Sequence, residues 1–331
     1  PVAMAVPGLV HRLGLQTLGT YHDRSTGALA DGASPQPSLA AGPRAWGRLF
    51  GSTGHAGRTG AGASSRYSAF KEDGPRYEYD LAGMQLGLDA HRQLRQDGSG
   101  STAGAYLGVS NASARVDAVL GGRAGRVSVN GYSLGGYWTH VGASGAYIDA
   151  VAQVTRYHGV RARSVNGERI SPDGWGTAAS LEAGLPIALG GQWTLEPQAQ
   201  IVHQHISFDG AQRDRYGKID IDNADAWTGR VGTRLSTQWH DASGRRYGAW
   251  ARANLWHDFG GRAKTTFAQL DGNHPVTLRT GLGGTWMQLG LGFDTQAASG
   301  LGVSVSAGYE QSLETSKGRG VSGYVGLRYA W

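Results

Sequence analysis

Cysteine is absent from this sequence of 331 residues. Its absence excludes disulfide bonds and thiolate-held metal sites, and it suits a protein that crosses an oxidising compartment unfolded. Long apolar runs are missing as well. A membrane helix needs about 18 or more continuously apolar residues, whereas Ser, Asn, Gly and Thr interrupt the best candidate, residues 127–148, throughout. We therefore expect no membrane-spanning helix.

Methionine and phenylalanine are scarce, since the chain has 3 Met and 6 Phe but 55 Gly, 10 Trp and 14 Tyr. A soluble α/β enzyme buries Leu, Ile and Met, whereas Gly, Trp and Tyr suit pleated strands and the aromatic girdles of membrane interfaces. The formal charge of +6 and the pI near 9.6 are compatible with nucleic-acid binding. However, the arginines are spread along the chain rather than clustered in one stripe, so we expect no nucleic-acid partner.

Signatures of catalytic and metal sites are missing too. The Gly-rich runs lack the Lys-Ser/Thr of a phosphate loop, and no nucleophile elbow, HExxH or EF-hand pattern occurs. His257 and Asp258 are adjacent, so on a strand they point to opposite faces and do not form a dyad. His203 and His205 share a face, but the sequence offers no third ligand. We predict no enzyme activity, no catalytic residues, no cofactor and no metal.

Alternation of apolar and polar residues, which is typical of strands with two different faces, dominates the chain. Near the C-terminus, for example, Met287, Leu289 and Leu291 alternate with Gln288 and Gly290. The alternation predicts twelve strands, over residues 44–52, 77–92, 101–114, 126–141, 146–160, 174–189, 193–208, 225–240, 247–259, 284–297, 301–314 and 320–331. Most have the 9 to 11 or more residues that a tilted membrane crossing requires, and an even count is typical of bacterial barrels.

The connections between these strands alternate in length. The long ones are 53–76, 115–125, 161–173, 209–224 and 260–283, and the short ones are 142–145, 190–192, 241–246 and 298–300, with 93–100 and 315–319 as exceptions. Such alternation is expected when one rim faces the periplasm and the other the outside. The chain is therefore predicted to be all-β, with a 12-stranded antiparallel transmembrane β-barrel over 44–331 whose last residue, Trp331, lies at the periplasmic rim.

The first 43 residues differ from the barrel. An apolar helical stripe follows Pro7, which suits the first turn of a helix, and its members are Val6, Leu9, Val10, Leu13 and Leu18. We predict an amphipathic helix within 1–25 and a linker over 26–43, where Ala, Gly, Ser and Pro predominate. The opening residues have neither an initiator Met nor a basic segment, so we expect a processed or truncated fragment.

Five motifs occur in a characteristic order and spacing. They are AWGRLFG (45–51), SLEAG (180–184), LEPQAQ (195–200), LGLG (289–292) and YVGLRYAW (324–331). With them the chain resembles, over nearly its whole length, the translocator domains of monomeric (type V) autotransporters, above all the pertactin-like and serum-resistance (Brk-type) members. The resemblance implies an outer-membrane anchor that helps to export an N-terminal passenger domain, with the helix threaded through the lumen as a plug.

Partners follow from the same resemblance. It implies the chain's own passenger, the barrel-assembly machinery, periplasmic chaperones and outer-membrane lipid, with the barrel as a monomer. Many members cut the passenger at an Asn within the helix, but the first Asn here is Asn111. Cleavage is therefore expected upstream of Pro1 or by another protease. The alternative function is a free-standing outer-membrane porin or channel, in which the helix is incidental.

Two carboxylates, Glu182 and Glu196, lie on the lumen-facing parity of neighbouring strands. A carboxylate pair permits acid/base chemistry, and the resemblance implies lumen acids that assist cleavage. We favour electrostatic plugging instead, because buried charges persist only when they are paired. The cations expected to pair with them are Arg230, Arg234, Arg252 and Arg328 of the wall and His11 and Arg12 of the helix.

The C-terminal strand carries a further candidate motif, Leu327, Tyr329 and Trp331. It resembles the signal by which the assembly machinery recognises barrels, and the terminal aromatic suits docking by strand addition. Simple anchoring of aromatics at the membrane interface is the alternative.

Overall fold

The computed structural model describes residues 1–25, 44–57, 63–297, 299–314 and 318–330. Its long strands are β1 (Arg44–Ala56), β2 (Tyr77–Leu94), β3 (Gly100–Asp117), β4 (Arg123–Val141), β5 (Tyr147–Ser164), β6 (Gly174–Gly184), β7 (Trp193–Phe208), β8 (Ala224–His240), β9 (Arg246–Asp258), β10 (Thr285–Gln296), β11 (Leu301–Ser312) and β12 (Arg319–Ala330). All neighbouring strands are antiparallel, and β1 pairs with β12 from Arg44 opposite Ala330 to His55 opposite Arg319. The sheet is therefore a closed barrel without a free edge, and the predicted 12-stranded fold is confirmed.

The two faces of the wall differ in polarity. On β4, for example, Leu134 and Trp138 are exposed on the outer surface, whereas Ser133 and Thr139 are buried in the lumen. A polar interior and an apolar exterior are the reverse of a soluble protein, and they match a barrel that is surrounded by lipid.

Across the part of the chain that the structure describes, no helix is long and apolar enough to cross a membrane.

The connections lie at two rims. One end, the turn rim, has residues 95–99, 142–146, 185–192, 241–245, 297 and 299–300, and the other, the loop rim, has 57, 63–76, 118–122, 165–173, 209–223, 259–284, 313–314 and 318. The predicted alternation of loop length is thus present, with 118–122 shorter than predicted. Both the start of β1 and the end of β12 lie at the turn rim, but Trp331 and the predicted linker 26–43 lie outside the described residues.

Tight turns at the turn rim depend on glycine. In the turn 241–245 the N–H of Asp241 donates to Arg245 O, and Gly244 has a φ of 77°, the left-handed conformation of three-residue hairpin loops. The Asp241 carboxylate accepts hydrogen bonds from the Ser243 hydroxyl (2.6 Å) and from the N–H groups of Arg245 (3.0 Å) and Ser243 (2.8 Å). Led by the Ser243 hydroxyl, these bonds lower the pKa of Asp241 to about 2.

Sequence periodicity missed two features of the loop rim and one of the turn rim. The segment 57–76 contains the helix α3 (Ala63–Asp73). Segments predicted as loops pair with each other in a small sheet, formed by Gln212–Arg213, Lys218–Ile221, Arg262–Ala268 and Val276–Gly281. The predicted strand 174–189 ends at Gly184 because Pro186 has no N–H to continue the ladder, and a separate short strand, Ile187–Gly190, follows.

Glycines accommodate aromatic rings along the inner wall. Cross-strand pairs of this kind are Trp46 with Gly87, Phe50 with Gly83, Tyr106 with Gly135, Tyr147 with Gly184 and Trp250 with Gly292. A Cβ atom at Gly135 would lie 2.2 Å from the Tyr106 ring. Glycine therefore lets the ring lie flat against the wall, which leaves the lumen free for another element. This packing gives a structural use to the high glycine and aromatic content.

Two helices precede the barrel, α1 (Val2–Leu18) and α2 (Tyr21–Arg24). The predicted start at Pro7 is wrong, since α1 begins at Val2 and contains Pro7 in its interior. The predicted amphipathic stripe is also too narrow, because residues outside it such as Ala3 and Gly8 are buried as well. The barrel wall surrounds α1, so nearly every face of the helix is in contact with protein.

Candidate functional site in the barrel lumen

The helix α1 runs along the lumen from the loop rim towards the turn rim. Its first residues pack with Val116 and Val127 near the loop-rim ends of β3 and β4, and Leu18 packs with Trp46 and Tyr137 nearer the turn rim. Apolar burial stabilises the first part of α1 in the lumen, because four of its side chains are fully buried: Val6, Leu9, Val10 and Leu13. Each such side chain contributes about 1.5–3 kcal/mol.

The small sheet of the loop rim covers the beginning of α1. The hydroxyl of Thr280 donates to Met4 O (3.2 Å), and Ile219, Ile221 and Phe267 join the apolar cluster around the helix. Because these residues come from two loops that are distant in sequence, the cover forms only once both loops fold over the lumen. Sequence reasoning missed this contribution.

Midway along α1, two basic side chains face carboxylates of the wall. Arg12 lies 2.6 Å from Glu310, and its guanidinium stacks 4.6 Å from the centre of the Tyr79 ring. The Tyr79 hydroxyl donates to the same Glu310 carboxylate (2.6 Å). His11 is buried, with Nε2 lying 3.6 Å from Asp258.

The prediction that His11 and Arg12 pair with Glu182 and Glu196 is therefore wrong. Those two glutamates lie nearer the turn rim, where the chain has already passed the end of α1 and entered α2. Glu182 accepts the backbone N–H of Tyr21 (3.0 Å), and Glu196 lies 2.6 Å from His22 Nε2. The helical rise from Arg12 to Leu18 alone is about 9 Å, which separates the two sets of contacts.

The end of α1 is bound through its free carbonyl groups. Thr17 O accepts hydrogen bonds from Arg48 of β1 and from the Gln85 side-chain amide of β2 (2.7 Å), and Arg48 also donates to Gln85 (2.6 Å). The last carbonyls of a helix lack intrahelical donors and carry partial negative charge. Arg48 and the Gln85 amide supply the missing donors, and the guanidinium charge of Arg48 balances the partial negative charge.

The short helix α2 is held by ion pairs on several sides. Arg24 pairs with Asp149, and Asp23 lies 3.7 Å from Arg252 and 3.8 Å from Arg48. The carbonyl of Asp23 accepts a hydrogen bond from the Tyr324 hydroxyl. His22, Asp23 and Arg24 of α2 therefore each lie beside a polar or charged side chain of the wall.

A second layer of contacts fixes the wall residues themselves. Arg230 lies 3.0 Å from Glu182, and both side chains are almost completely buried. Arg328 pairs with Asp89 (3.0 Å) and donates to Ser25 O (2.8 Å). Of the four predicted wall arginines, Arg230, Arg252 and Arg328 thus lie beside carboxylates. Among those carboxylates, only Glu182 was predicted from the sequence.

Arg234 behaves differently from the other predicted cations. Its guanidinium lies 5.1 Å from the centre of the Trp250 ring, and it lines a small cavity together with His22 and Asp294. No carboxylate within the described ranges lies within 4 Å of it. The ring face provides a weaker cation–π contact instead.

The carboxylates missed from the sequence share one signal. Asp89, Asp149, Asp258 and Glu310 all lie on the lumen-facing parity of their strands, so a search for acidic residues at that parity finds them. The identity of their partners depends on the position of the helix along the barrel axis, which strand parity does not encode.

The other candidate residues are on the outside. His257 is exposed and contacts Thr285 (2.9 Å), whereas Asp258 points into the lumen. His205 lies 2.8 Å and His203 3.7 Å from Asp225 on the outer surface. Among the residues with described positions, no group of three or more His, Asp or Glu side chains has the arrangement of a metal site.

Comparison with known proteins identifies this architecture. The model of the autotransporter beta-domain family matches residues 45–310. This chain belongs to that family. The pertactin autotransporter of Bordetella bronchiseptica is 28% identical over 282 residues, which cover 83% of this chain but 29% of that protein. This chain thus spans less than a third of that relative's length.

Solved structures agree with the family assignment. The β domain of the Bordetella autotransporter BrkA is 25% identical and has a TM-score of 0.64, covering 88% of this chain and all of that chain (100%). The transport unit of the Escherichia coli autotransporter AIDA-I has a TM-score of 0.70 at 17% identity, covering 98% and 99% of the two chains. The latter likeness concerns the fold alone.

The chain is therefore an integral outer-membrane translocator barrel, which is a transport domain. The predicted family and localisation are both confirmed. Outer-membrane barrels have short periplasmic turns and longer extracellular loops, so the turn rim faces the periplasm and the loop rim faces the outside.

Proposed function

We propose that this barrel anchors an N-terminal passenger domain in the outer membrane and assists its export, and that residues 1–25 then plug the lumen. Residues 26–43 link this plug to the barrel of 44–331. The observation that carries the proposal is the match of α1 and α2 to the lumen wall, by apolar burial near the loop rim and by ion pairs near the turn rim. An incidental helix in a porin has no need of such matched contacts.

The direction of the helix supports the same function. Because α1 begins near the loop rim, a passenger joined to its first residue would lie on the extracellular side. A hairpin of passenger and helix that moves outward would leave α1 in this orientation. The plug contacts then form after the passenger has left the lumen.

The lumen carboxylates act in binding rather than catalysis under this proposal. Glu182 is occupied by Arg230, by the Tyr147 hydroxyl (2.8 Å) and by the Tyr21 N–H. Glu196 is occupied by His22 and by the Gln198 amide (2.6 Å). Both oxygens of Glu182 are thus engaged by donors, whereas both contacts of Glu196 are to its Oε1 atom. Donors to a carboxylate stabilise its charged form, so these contacts oppose the uptake of a proton from a reacting group.

Assembly is proposed to involve the barrel-assembly machinery and periplasmic chaperones, with the barrel as a monomer. Leu327 and Tyr329 are exposed on the outer face of β12 close to the turn rim, where a machine on the periplasmic side has access to them. We expect replacement of the terminal Trp331 by Ala to slow barrel assembly.

Surface display of a reporter tests the export function. An epitope and a signal peptide are joined before Pro1, and intact cells are treated with protease. We expect loss of the epitope from cells that contain the folded barrel, and retention of the epitope when the same reporter is secreted to the periplasm without a barrel. A folded barrel that leaves its epitope protected in the periplasm would support the porin alternative and contradict export.

A further inference from the structure

A row of arginines crosses the outer surface at the loop rim. Arg115 of β3 lies opposite Arg126 of β4, and Arg126 lies opposite Arg163 of β5. Arg163 in turn lies opposite Arg169 of the short strand Arg169–Ile170. All four side chains are exposed, and the residues beside them on each strand point inward. With about 4.8 Å between neighbouring strands, the row spans about 15 Å.

The row has little internal counter-charge. Like charges directly opposite each other on neighbouring strands destabilise a sheet. Only one end is neutralised, by Glu78, which lies 3.6 Å from Arg115 and is shared with His55 (3.1 Å). Within the described ranges the side chains of Arg126 and Arg163 have no hydrogen-bonding or ion-pair partner. The row therefore presents an uncompensated array of guanidinium groups to an external anion.

Two other basic side chains on the outside of the same barrel lie beside carboxylates. Arg156 of β5 lies 3.1 Å from Asp209 and stacks on Trp175, and the nearby His158 lies 2.6 Å from Asp173. Both of these residues are closer to the lipid than the row is. The row thus differs from these two side chains, because Arg126 and Arg163 have no carboxylate partner among the described residues.

The height of the row above the lipid narrows the choice of anion. The exposed apolar belt ends at Val109 and Tyr132, which are paired with each other. Arg126 is six residues beyond Tyr132, which corresponds to about 15 Å above the belt once strand tilt is included. A phospholipid headgroup layer is only about 5 to 7 Å deep. Phosphorylated sugars of a glycolipid extend further, to the level of the row.

We propose that Arg115, Arg126, Arg163 and Arg169 bind phosphate groups on the saccharide headgroup of an outer-leaflet glycolipid. Guanidinium groups present planar pairs of donors that match phosphate oxygens, and several in one line bind neighbouring phosphates together. The bound anion removes the repulsion within the row. This inference depends on the outer-membrane location of the barrel and is independent of the export function.

Binding to defined lipids tests the proposal. The full chain in detergent is immobilised and titrated with phosphorylated lipopolysaccharide, enzymatically dephosphorylated lipopolysaccharide, phosphatidylglycerol and inorganic phosphate. The test variant is Arg126→Gln with Arg163→Gln. The control, Arg262→Gln with Arg279→Gln, removes two exposed arginines from the small sheet of the same rim. The heat-dependent gel mobility of each variant reports whether the barrel is folded.

We expect the test variant to bind phosphorylated lipopolysaccharide at least about tenfold more weakly than the unaltered chain, because charged hydrogen bonds are lost. The control variant is expected to stay within about twofold. Excess inorganic phosphate should compete with the lipopolysaccharide. In the absence of lipid, the test variant should unfold at the same temperature as the unaltered chain or higher, since the repulsion is reduced.

Three results would overturn the proposal. Equal affinity of the test and control variants would show that the row is not the binding site. Equal binding of dephosphorylated lipopolysaccharide would show that phosphate is not recognised. Equal binding of phosphatidylglycerol would assign the row to phospholipid and exclude the glycolipid.

Discussion

Arg24 is the charged residue of the plug whose loss should have the largest effect. Its ion pair with Asp149 is nearly inaccessible, with side chains 4% and 2% exposed. Arg24→Met leaves Asp149 buried with only the Thr139 hydroxyl (2.6 Å) as a partner. Removal of one member of a buried pair costs about 3–5 kcal/mol. Because α2 is only four residues long, this cost falls on its docked state rather than on the barrel.

The expected result is a release of α2 about two to three orders of magnitude more frequent than in the unaltered chain. The lack of cysteine provides the assay, since Leu18→Cys introduces a single thiol at a position that is 1% exposed. Its rate of alkylation by a membrane-impermeant maleimide reports how often the end of the plug opens. Arg95→Met, at an exposed turn of the same rim, is the control for loss of one positive charge.

A second substitution separates charge from packing. Asp149→Asn removes the carboxylate that Arg24→Met leaves unpaired, so the double variant should return most of the way to the slow rate of the unaltered chain. The reasoning is refuted if Arg24→Met alkylates no faster than Arg95→Met. It is also refuted if the double variant opens as readily as the single variant, because the unpaired charge is then not the cause.

Three further changes test other parts of the account. Gly135→Ala places a methyl group 2.2 Å from the Tyr106 ring, so it should lower the free energy of unfolding in urea titrations by about 1–3 kcal/mol. The control, Gly323→Ala, meets no atom within 4 Å and should leave this free energy nearly unchanged. Equal effects of the two substitutions would contradict the packing argument. The turn contacts of Asp241 lower its pKa to about 2. The carboxylate should therefore stabilise the turn fully above the pKa of the unfolded chain, near 4, and lose this effect as the pH falls through 2. An NMR titration of the Asp241 carboxyl with a midpoint near 4 would contradict this prediction. Glu182→Gln leaves the buried Arg230 without its carboxylate, so it should lower the free energy of unfolding by about 3–5 kcal/mol and with it the thermal unfolding temperature. Passenger processing should not change. A selective loss of processing would indicate that Glu182 acts in catalysis.

Strand number, order and the two rims follow from the sequence because they depend on local alternation. Leu134 and Trp138 lie on the same face wherever the strand lies in the barrel, so parity alone predicts which residues meet lipid. The small sheet of the loop rim is different. Its strands Lys218–Ile221 and Arg262–Ala268 are short and pair across two separate loops, so no local period announces them.

Some contacts of the plug could be predicted from strand parity, and others could not. Lumen-facing parity identifies Glu182 and Arg230 as residues of the interior, and the structure brings them within 3.0 Å of each other. The partners of His11 and Arg12 depend on how far α1 has advanced along the barrel axis, which neither periodicity nor charge specifies. Pro7 was misleading for a related reason, because packing on all sides stabilises a helix that continues through it.

Ion conductance across a planar lipid bilayer tests the plug most directly. The purified chain is compared with the same chain lacking residues 1–25, and heat-dependent gel mobility verifies that each barrel is folded. We expect low or no conductance for the intact chain and a large, stable conductance after the deletion, because α1 and α2 fill the lumen. Equal conductance of the two folded barrels would contradict the account and favour an open channel in which the helix is incidental.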